Sequence, residues 1–245
     1  MCTENLLTRK HTRREALIKA AAATLAATGL NTPGVIFAQN QLTLTPGETA
    51  GPYWLDGMPN RSDIRGNSTG GAIQQGFPMK LAINVSRLAN NSVTAVNGEK
   101  VDIWHCNALG KYSGVAQLGT QGQNFLRGYQ LSNASGNVSF TNIYPGWYRG
   151  RTVHIHFRVR LYSGTRVTYN FVSQLYCSDV ITNQVYTTAP YNTRPNRDTT
   201  NATDMVFTGG SQGTGGQVSS NSGQYLLLKL TNSSGLANAS FNVVL

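Results

Sequence analysis

The stretch Tyr144-Pro-Gly-Trp-Tyr-Arg-Gly-Arg-Thr-Val-His-Ile-His156 combines a turn with the start of a strand. His154 and His156 lie two residues apart, so both imidazoles project from the same face of a β-strand. β-Branched and aromatic residues surround the pair, and Pro145-Gly146 marks a turn just before it. The two histidines are therefore candidate metal ligands beside a loop that carries tyrosines.

Few other residues could complete such a site. The chain contains four histidines, and those outside the pair are His11 and His105. No Cys-x-x-Cys pair or acidic residue lies close to the pair, so tri-histidine zinc, zinc-hydrolase and 2-His-1-carboxylate patterns lack their usual partners. The eleven tyrosines make phenolate ligation of a strongly Lewis-acidic ion worth considering. On the residues alone, the pair is equally consistent with hydrogen-bonded histidines on a solvated sheet.

Strand-like segments recur along the chain, and few windows outside the N-terminal region show helical periodicity. Turn residues separate the segments, which predicts an all-β fold, an antiparallel β-sandwich with long loops around the metal site. One sheet would carry the histidine strand at its rim. The polar, glycine-rich segment 209–223 is predicted to be a flexible loop or hairpin excursion. The predicted strands are 79–86, 101–106, 137–143, 152–159, 167–177, 224–231 and 239–245.

The N-terminal residues 1–38 are predicted to be an export signal. Thr12-Arg-Arg-Glu-Ala-Leu-Ile-Lys19 resembles a twin-arginine signal, an apolar run follows, and Ala38 offers a cleavage position. The apolar run is too short for a stable membrane anchor, which needs roughly 20 apolar residues. A basic amphipathic or disordered tail is the alternative. The signal predicts a periplasmic or extracellular protein whose single domain spans residues 39–245.

The chain is basic, with 20 Lys and Arg against 10 Asp and Glu. Residues 1–38 hold five of the basic and two of the acidic residues, so the remaining 15 and 8 leave a net charge of +7. Such a charge could steer anionic aromatic acids toward the protein. No Lys or Arg run suited to phosphate tracking follows the signal, so nucleic-acid binding is not expected.

Two cysteines remain once the signal and its Cys2 are removed. Cys106 and Cys177 each follow apolar strand residues. In an exported chain they could form a disulfide between two strands, or they could be two buried thiols. The sequence leaves both alternatives open.

A series of spaced motifs, in one order, resembles the intradiol ring-cleavage dioxygenases. These are non-haem iron(III) enzymes that include protocatechuate 3,4-dioxygenase and catechol 1,2-dioxygenase. The resemblance covers about residues 45–179 and is specific because several motifs agree. The motifs are Glu48-Thr-Ala-Gly-Pro-Tyr-Trp54, Arg61-Ser-Asp-Ile64, Val101-Asp-Ile-Trp-His-Cys106, Gly110-Lys-Tyr-Ser-Gly114, Phe125-Leu-Arg-Gly128, Pro145-Gly-Trp-Tyr148, His154-Ile-His156 and Ser173-Gln-Leu-Tyr176.

The resemblance implies an Fe(III) cofactor and its ligands. Tyr112 matches the equatorial tyrosinate, and Tyr148 matches the axial tyrosinate that leaves the metal when substrate binds. His154 and His156 match the remaining two ligands. Tyr144 is a rival to Tyr148, but the family ligand follows Pro-Gly rather than precedes it.

The resemblance also implies a reaction and two further site residues. Arg151 matches an arginine that lies against the bound catechol ring, and Gln174 matches a glutamine near the oxygen site. A catechol-type substrate would react with O2 and be cleaved between its two hydroxylated carbons to a cis,cis-muconate. The interval between the Pro-Gly-x-Tyr and His-x-His motifs is shorter here than in better-known members. The interval 39–53 is too short for the helical region with which catechol 1,2-dioxygenases dimerise, and a homo-oligomer stays open.

Two other functions are consistent with the residues. An exported β-sandwich could be a binding module for polysaccharide or envelope, with Trp54, Trp104 and Trp147 as stacking platforms. Alternatively, the histidine pair could hold copper or zinc, with the tyrosines purely structural.

Overall fold

The computed structural model describes residues 43–209, 221–233 and 235–245. These residues form nine β-strands and one short α-helix. No helix within these ranges is long and apolar enough to cross a membrane. The strands are β1 (Pro78–Ala89), β2 (Ser92–Ala95), β3 (Lys100–Trp104), β4 (Arg127–Leu131), β5 (Asn137–Ile143), β6 (His154–Ser163), β7 (Arg166–Tyr176), β8 (Lys229–Ser233) and β9 (Leu236–Val244), and the helix is α1 (Asp179–Val185).

The strands form two sheets, which confirms the predicted all-β sandwich. One sheet has the order β4-β3-β6-β7, and all of its pairs are antiparallel. In the other sheet, β1 pairs with β9 along one edge and with β5 and then β2 along the other, and β8 lies beyond β9. The β1–β9 pair is parallel, which departs from the prediction. Most of the domain separates these two strands, and parallel pairing requires a long connection of that kind.

The core between the sheets follows from the alternation of apolar residues. In β1 every second residue from Met79 to Val85 is buried, and the residues between them are more exposed. In β6 the residues Ile155, Phe157 and Val159 join the same core cluster. Because strand side chains alternate between faces, His154 and His156 lie on the opposite face of β6.

Loops cover this outer face of the four-stranded sheet and form a second cluster. Its buried members are Met58, Trp104, Cys106 and Tyr112. Arg61 holds the covering loops together by donating to the backbone oxygens of Gly66, Asn124 and Arg127 at 2.6–3.1 Å. The long loops predicted around the histidines are thus present, and they bury both imidazoles.

The strand predictions were largely right, with three differences. Strand β5 has the predicted bounds, whereas β2 and β4 were missed. In β4, Gly128 weakens the strand signal, but a side chain there would meet Ile64 Cγ2 at 2.7 Å. The prediction of a strand from residue 224 is wrong, because Ser222–Leu226 forms a 3-10 helix and the strand begins at Lys229.

The position of the histidine strand also differs from the expectation. Strand β6 is an interior strand, hydrogen-bonded to β3 and to β7, rather than a strand at the rim. Its histidines are at its beginning, so they lie near one end of the sheet. The core covers one face of β6 and the loops cover the other, which explains its nearly continuous burial. The export signal 1–38 lies outside the described residues, as does most of segment 209–223, and both predictions stay untested.

The two cysteines are buried free thiols rather than a disulfide. Cys106 belongs to the cluster under the loops, where its Sγ donates to the Gly146 carbonyl at 3.3 Å. Cys177 belongs to the core between the sheets. The two thiols are therefore packed in different clusters.

Phe157 is a test of the core, because it is fully buried and packs against Phe171 and Phe241. We expect Phe157→Ala to lower the free energy of unfolding by about 3–5 kcal/mol, as for other buried phenylalanines. Guanidinium unfolding measures the change. Tyr169→Ala, at a ring that is 40% exposed, is the matched control and should change the free energy by less than about 0.5 kcal/mol. Equal losses in the two variants would contradict the packing described.

The thiols can be counted in a chain that begins at Gln39. Burial raises the pKa of both Cys106 and Cys177 to about 12, and the thiolate is the reactive form. We expect both thiols to react slowly with a thiol reagent in the native protein, and both to react rapidly after unfolding without a reductant. Recovery of fewer than two thiols per chain would instead support the disulfide.

Candidate metal centre

Four donor atoms converge on one point beside the start of β6. His154 Nε2 lies 3.1 Å from His156 Nε2, 3.1 Å from Tyr148 Oη and 3.4 Å from Tyr112 Oη. Tyr112 and His154 are 42 residues apart in the chain, so the fold brings them together. The structure thus groups the four residues predicted as ligands from the sequence.

The four-stranded sheet positions the histidines. Across the sheet, His156 is opposite Trp104 of β3 and Gln174 of β7, and His154 is opposite Tyr176. The Trp104 and His156 rings stack at 4.9 Å between centroids with an interplanar angle of 4°. This stacking restricts rotation of the His156 ring.

The tyrosines come from loops that need glycine for close packing. Tyr148 follows Gly146, where any side chain would collide with the carbonyl oxygens of Asn107 and Ala108. That collision gives a physical reason for the Pro-Gly-x-Tyr motif. Tyr112 is fully buried, and the Tyr53 ring stacks on it at 4.5 Å.

The hydrogen bonds of His154 select its tautomer. Its Nδ1–H donates to the Thr152 carbonyl at 2.6 Å, which leaves the Nε2 lone pair directed at the other donors. Metal-binding histidines commonly donate their second ring nitrogen to a carbonyl in this way. Burial lowers the pKa of His154 and of His156 well below the usual value, so both imidazoles are neutral. A neutral imidazole is the form that binds a metal.

The donor set fits a hard metal cation. Two ligand atoms bound to one first-row ion at about 2.1 Å lie roughly 3.0–3.4 Å apart, which matches the spacing around His154 Nε2. Burial raises the pKa of Tyr148 to about 12 and that of Tyr112 well above its usual value. A bound cation would stabilise the phenolates that burial disfavours. Two phenolates with two imidazoles suit an ion harder than zinc or copper.

No cluster of three or more His, Cys, Asp or Glu residues that could hold a metal occurs in the described part of the chain. A metal site at His154 would therefore need the two tyrosine oxygens, because His, Cys, Asp and Glu alone do not supply enough ligands there.

Arg151 and Gln174 lie beside this centre and contact each other. Arg151 Nη2 donates to Gln174 Oε1 at 2.5 Å, and Gln174 Nε2 donates to the Thr49 carbonyl at 2.8 Å. Gly150 has a positive φ of 80°, a conformation that favours glycine, and so permits the turn before Arg151. The turn brings Arg151 to the site rather than leaving it as a surface cation.

Three residues that contact Tyr176, Tyr112 or Arg151 were not assigned a role from the sequence. Glu48 is buried and accepts hydrogen bonds from Tyr176 Oη at 2.5 Å and Ser222 Oγ at 2.8 Å. Tyr53 stacks on Tyr112, as described above. Glu48 and Tyr53 occur in the Glu-Thr-x-Gly-Pro-Tyr motif, and that motif could have identified them as candidate site residues. The third residue, Asp204, accepts from Arg151 and lies in no quoted motif.

Tyr144, which was the rival to Tyr148, has another partner, and so do two further polar residues. Tyr144 Oη bonds to Thr182 Oγ1 at 2.8 Å, away from the four donors. His105 Nδ1 bonds to the Cys106 carbonyl at 2.9 Å, which agrees with a structural role. Asp102 pairs with Arg160 at 2.8 Å. These contacts leave Tyr148, rather than Tyr144, near the histidine pair.

Glu48 predicts a pH dependence of stability. Burial raises its pKa from 4.5 to about 7. The folded state therefore binds more protons than the unfolded state between these pH values, so the stability contributed below pH 4.5 is lost as the pH rises through 7. Relative to Glu48→Gln, we expect wild type to lose roughly 3 kcal/mol across this window.

Urea unfolding of the metal-free proteins between pH 4.5 and pH 8 measures this difference. Asp56→Asn is the control, because a backbone hydrogen bond from Gly57 lowers the pKa of Asp56 and moves its titration below this window. A constant difference between wild type and Glu48→Gln over the whole range would show that Glu48 is ionised normally.

Comparison with known proteins identifies the family and the fold. A family model described as Dioxygenase matches residues 49–188. An intradiol ring-cleavage dioxygenase from Tetranychus urticae is similar in structure, with 25% identity and a TM-score of 0.66 over 82% of this chain and 94% of that one. No curated protein matches the chain.

More distant structures show the same fold. The dioxygenase domain of a dioxygenase carbohydrate-binding protein fusion from Streptomyces sp. SirexAA-E is 21% identical, with a TM-score of 0.53 over 83% of this chain and 98% of that one. A 3-chlorocatechol 1,2-dioxygenase from Rhodococcus opacus is 16% identical, with a TM-score of 0.54 over 81% and 70%. Because the family model covers more than half of the chain, this protein belongs to the intradiol ring-cleavage dioxygenases, which are oxidoreductases.

Proposed function

We propose that this protein cleaves a catechol-type ring between its two hydroxylated carbons, using Fe(III) held by Tyr112, Tyr148, His154 and His156. The observation that carries the proposal is the position of His154 Nε2, which has two phenol oxygens and the His156 Nε2 atom within 3.1–3.4 Å of it. Membership of the family supports the reaction class.

The reaction balances without an external reductant. One carbon–carbon bond of the catechol breaks, and the two atoms of O2 become part of the two carboxyl groups of a cis,cis-muconate. When bound, ferric iron would supply the Lewis acidity that draws electron density from a chelated catechol and opens the ring to O2. The protein supplies binding, orientation and proton transfer.

Tyr148 is suited to take a proton from the substrate. Its Oη is 3.1 Å from His154 Nε2, but the residue lies just before a turn and outside the long strands, and it is less buried than Tyr112. Burial raises the pKa of Tyr148 to about 12, so its phenolate is a good proton acceptor. Tyr112, fully buried under Tyr53, would remain in place.

Arg151 provides a fixed positive charge at the site. Burial alone would lower its pKa, but the charges of Tyr148 and Asp204 outweigh burial and raise it. The guanidinium therefore stays charged and could stabilise negative charge that develops on the ring. Gln174 holds Arg151 through its Oε1 and is itself held by the Thr49 carbonyl.

The net charge of the domain supports a substrate class, and the N-terminal sequence supports a location. A net charge of +7 over residues 39–245 favours approach of anionic aromatic acids, alongside catechol, hydroxyquinol or lignin-derived dihydroxyphenyl compounds. The resemblance of residues 12–19 to a twin-arginine signal supports export of a folded, iron-loaded protein to the periplasm or beyond.

The alternatives are less well supported by the site. Trp104 is fully buried against His156, so it does not offer the exposed stacking platform that a binding module would need. A copper or zinc site with purely structural tyrosines does not explain why two phenol oxygens lie beside His154 Nε2.

Turnover tests the reaction directly. We expect the iron-loaded protein to consume one O2 per catechol and to form a muconate-type product, when catechol, protocatechuate and hydroxyquinol are compared by oxygen electrode and absorbance. Arg151→Gln should lower kcat by about 100-fold, as for the loss of one preorganised electrostatic group. An iron-loaded protein inactive on every catechol would overturn the proposal.

The visible spectrum tests the ligands. A ferric protein with tyrosinate ligands should show a charge-transfer band that shifts when catechol binds without oxygen. We expect Tyr148→Phe to change this band and Tyr144→Phe to leave it unaltered. Tyr144 is the matched control because it lies in the same segment but bonds to Thr182. An unchanged band in Tyr148→Phe would remove Tyr148 from the ligand set.

A further inference from the structure

Asp204 is a fully buried carboxylate next to the proposed active site. Its Oδ2 accepts from Arg151 Nε at 2.9 Å and from the Thr152 backbone N–H at 2.7 Å. Its Oδ1 accepts from the backbone N–H groups of Val206 at 2.7 Å and Phe207 at 3.0 Å. One carboxylate thus joins the segment that carries Arg151 to a turn about 50 residues later.

The two groups bound to Oδ2 both lead to the four-donor centre. Arg151 reaches the centre through its side chain. Thr152 reaches it through the backbone, because its carbonyl accepts the Nδ1–H of His154 at 2.6 Å. Asp204 therefore holds a charged side chain and a peptide unit that both set the geometry of the site.

The ion pair with Arg151 is shielded from water. The side chain of Arg151 is 15% exposed, and that of Asp204 is 0% exposed. Among the described residues, Asp204 is the carboxylate that pairs with Arg151, and Gln174 is the neutral acceptor on its other side. Removing one partner of such a pair leaves a buried charge without compensation.

A second contact fixes the Asp204 segment to Thr152. Thr152 Oγ1 donates to Asn201 Oδ1 at 2.6 Å, and Asn201 Nδ2 donates to the Cys177 carbonyl at 3.0 Å. Asn201 thus links the segment that carries Asp204 to Thr152 and to Cys177.

We propose that Asp204 is a positioning residue for ring cleavage, which orients the Arg151 guanidinium toward the substrate. The proposal rests on the proposed function of Arg151. It extends the active site beyond residues 49–188, the part matched by the family model. Asp204 itself touches no reacting atom, and a carboxylate that only capped the turn at Val206 and Phe207 would act on stability alone.

A double-mutant comparison separates positioning from a structural role. We expect Asp204→Asn to lower kcat by about 10–100-fold, the range found for groups that orient metal-site residues. In an Arg151→Gln background the same substitution should cost less than about 3-fold, because residues that act together are not additive. An undiminished loss in that background, or no loss in wild type, would overturn the proposal.

Asp198→Asn is the matched control. It removes the same charge from the same part of the chain, and Asp198 bonds to the Gly150 backbone N–H at 3.2 Å without contacting Arg151. We expect its kcat to stay within about 3-fold of wild type, with melting temperatures reported for all variants. If Asp198→Asn lowered kcat as much as Asp204→Asn, the lower activity would be due to the loop and not to the orientation of Arg151.

A readout without iron or turnover keeps the two proposals distinguishable. In 15N-labelled metal-free protein, the Arg151 Nε–H should exchange slowly with solvent, and Arg151→Lys identifies its resonance. The slow exchange should persist in Asp198→Asn and disappear in Asp204→Asn. Fast exchange in wild type would overturn the role of Asp204. Slow exchange in a protein that is inactive when loaded with iron would instead overturn the proposed function.

Discussion

The two faces of strand β6 carry the constraint on which the rest of the structure depends. One face contributes Ile155, Phe157 and Val159 to the core between the sheets, and the other contributes His154 and His156 to the four-donor centre. Because the side-chain period of a strand is two, a slip of one residue in register would exchange the faces. Packing of the core therefore fixes the position of the histidines. The register that stabilises the sandwich is the same register that sets the geometry of the site.

Burial decides the protonation of the imidazoles and the phenols at the centre. The loops that cover the outer face keep both imidazoles neutral and raise the pKa of the phenol groups, which favours a cation among them. The buried guanidinium of Arg151 pairs with Asp204. Removing either partner of this pair would leave a buried charge without compensation, which accounts for the carboxylate of Asp204 beside Arg151.

Much of the fold could be predicted from local patterns. Alternation marked β1, β5 and β6 because these strands bury one apolar face, and the turn before His154 was signalled by proline and glycine. Strands β2 and β4 were missed because they are short or contain Gly128, whose role is a close approach to Ile64. The 3-10 helix at Ser222–Leu226 was mistaken for a strand, since short apolar runs do not distinguish the two.

The sequence by itself determined the donor types, the spacing of the histidine pair and, through the resemblance of its motifs, the enzyme family. Only the tertiary structure decided which tyrosine approaches His154, that Cys106 and Cys177 stay apart, and that Asp204 pairs with Arg151. The physical reason is distance along the chain. Local patterns report on neighbours two to four residues away, whereas these contacts depend on how the sheets and loops bring distant segments together.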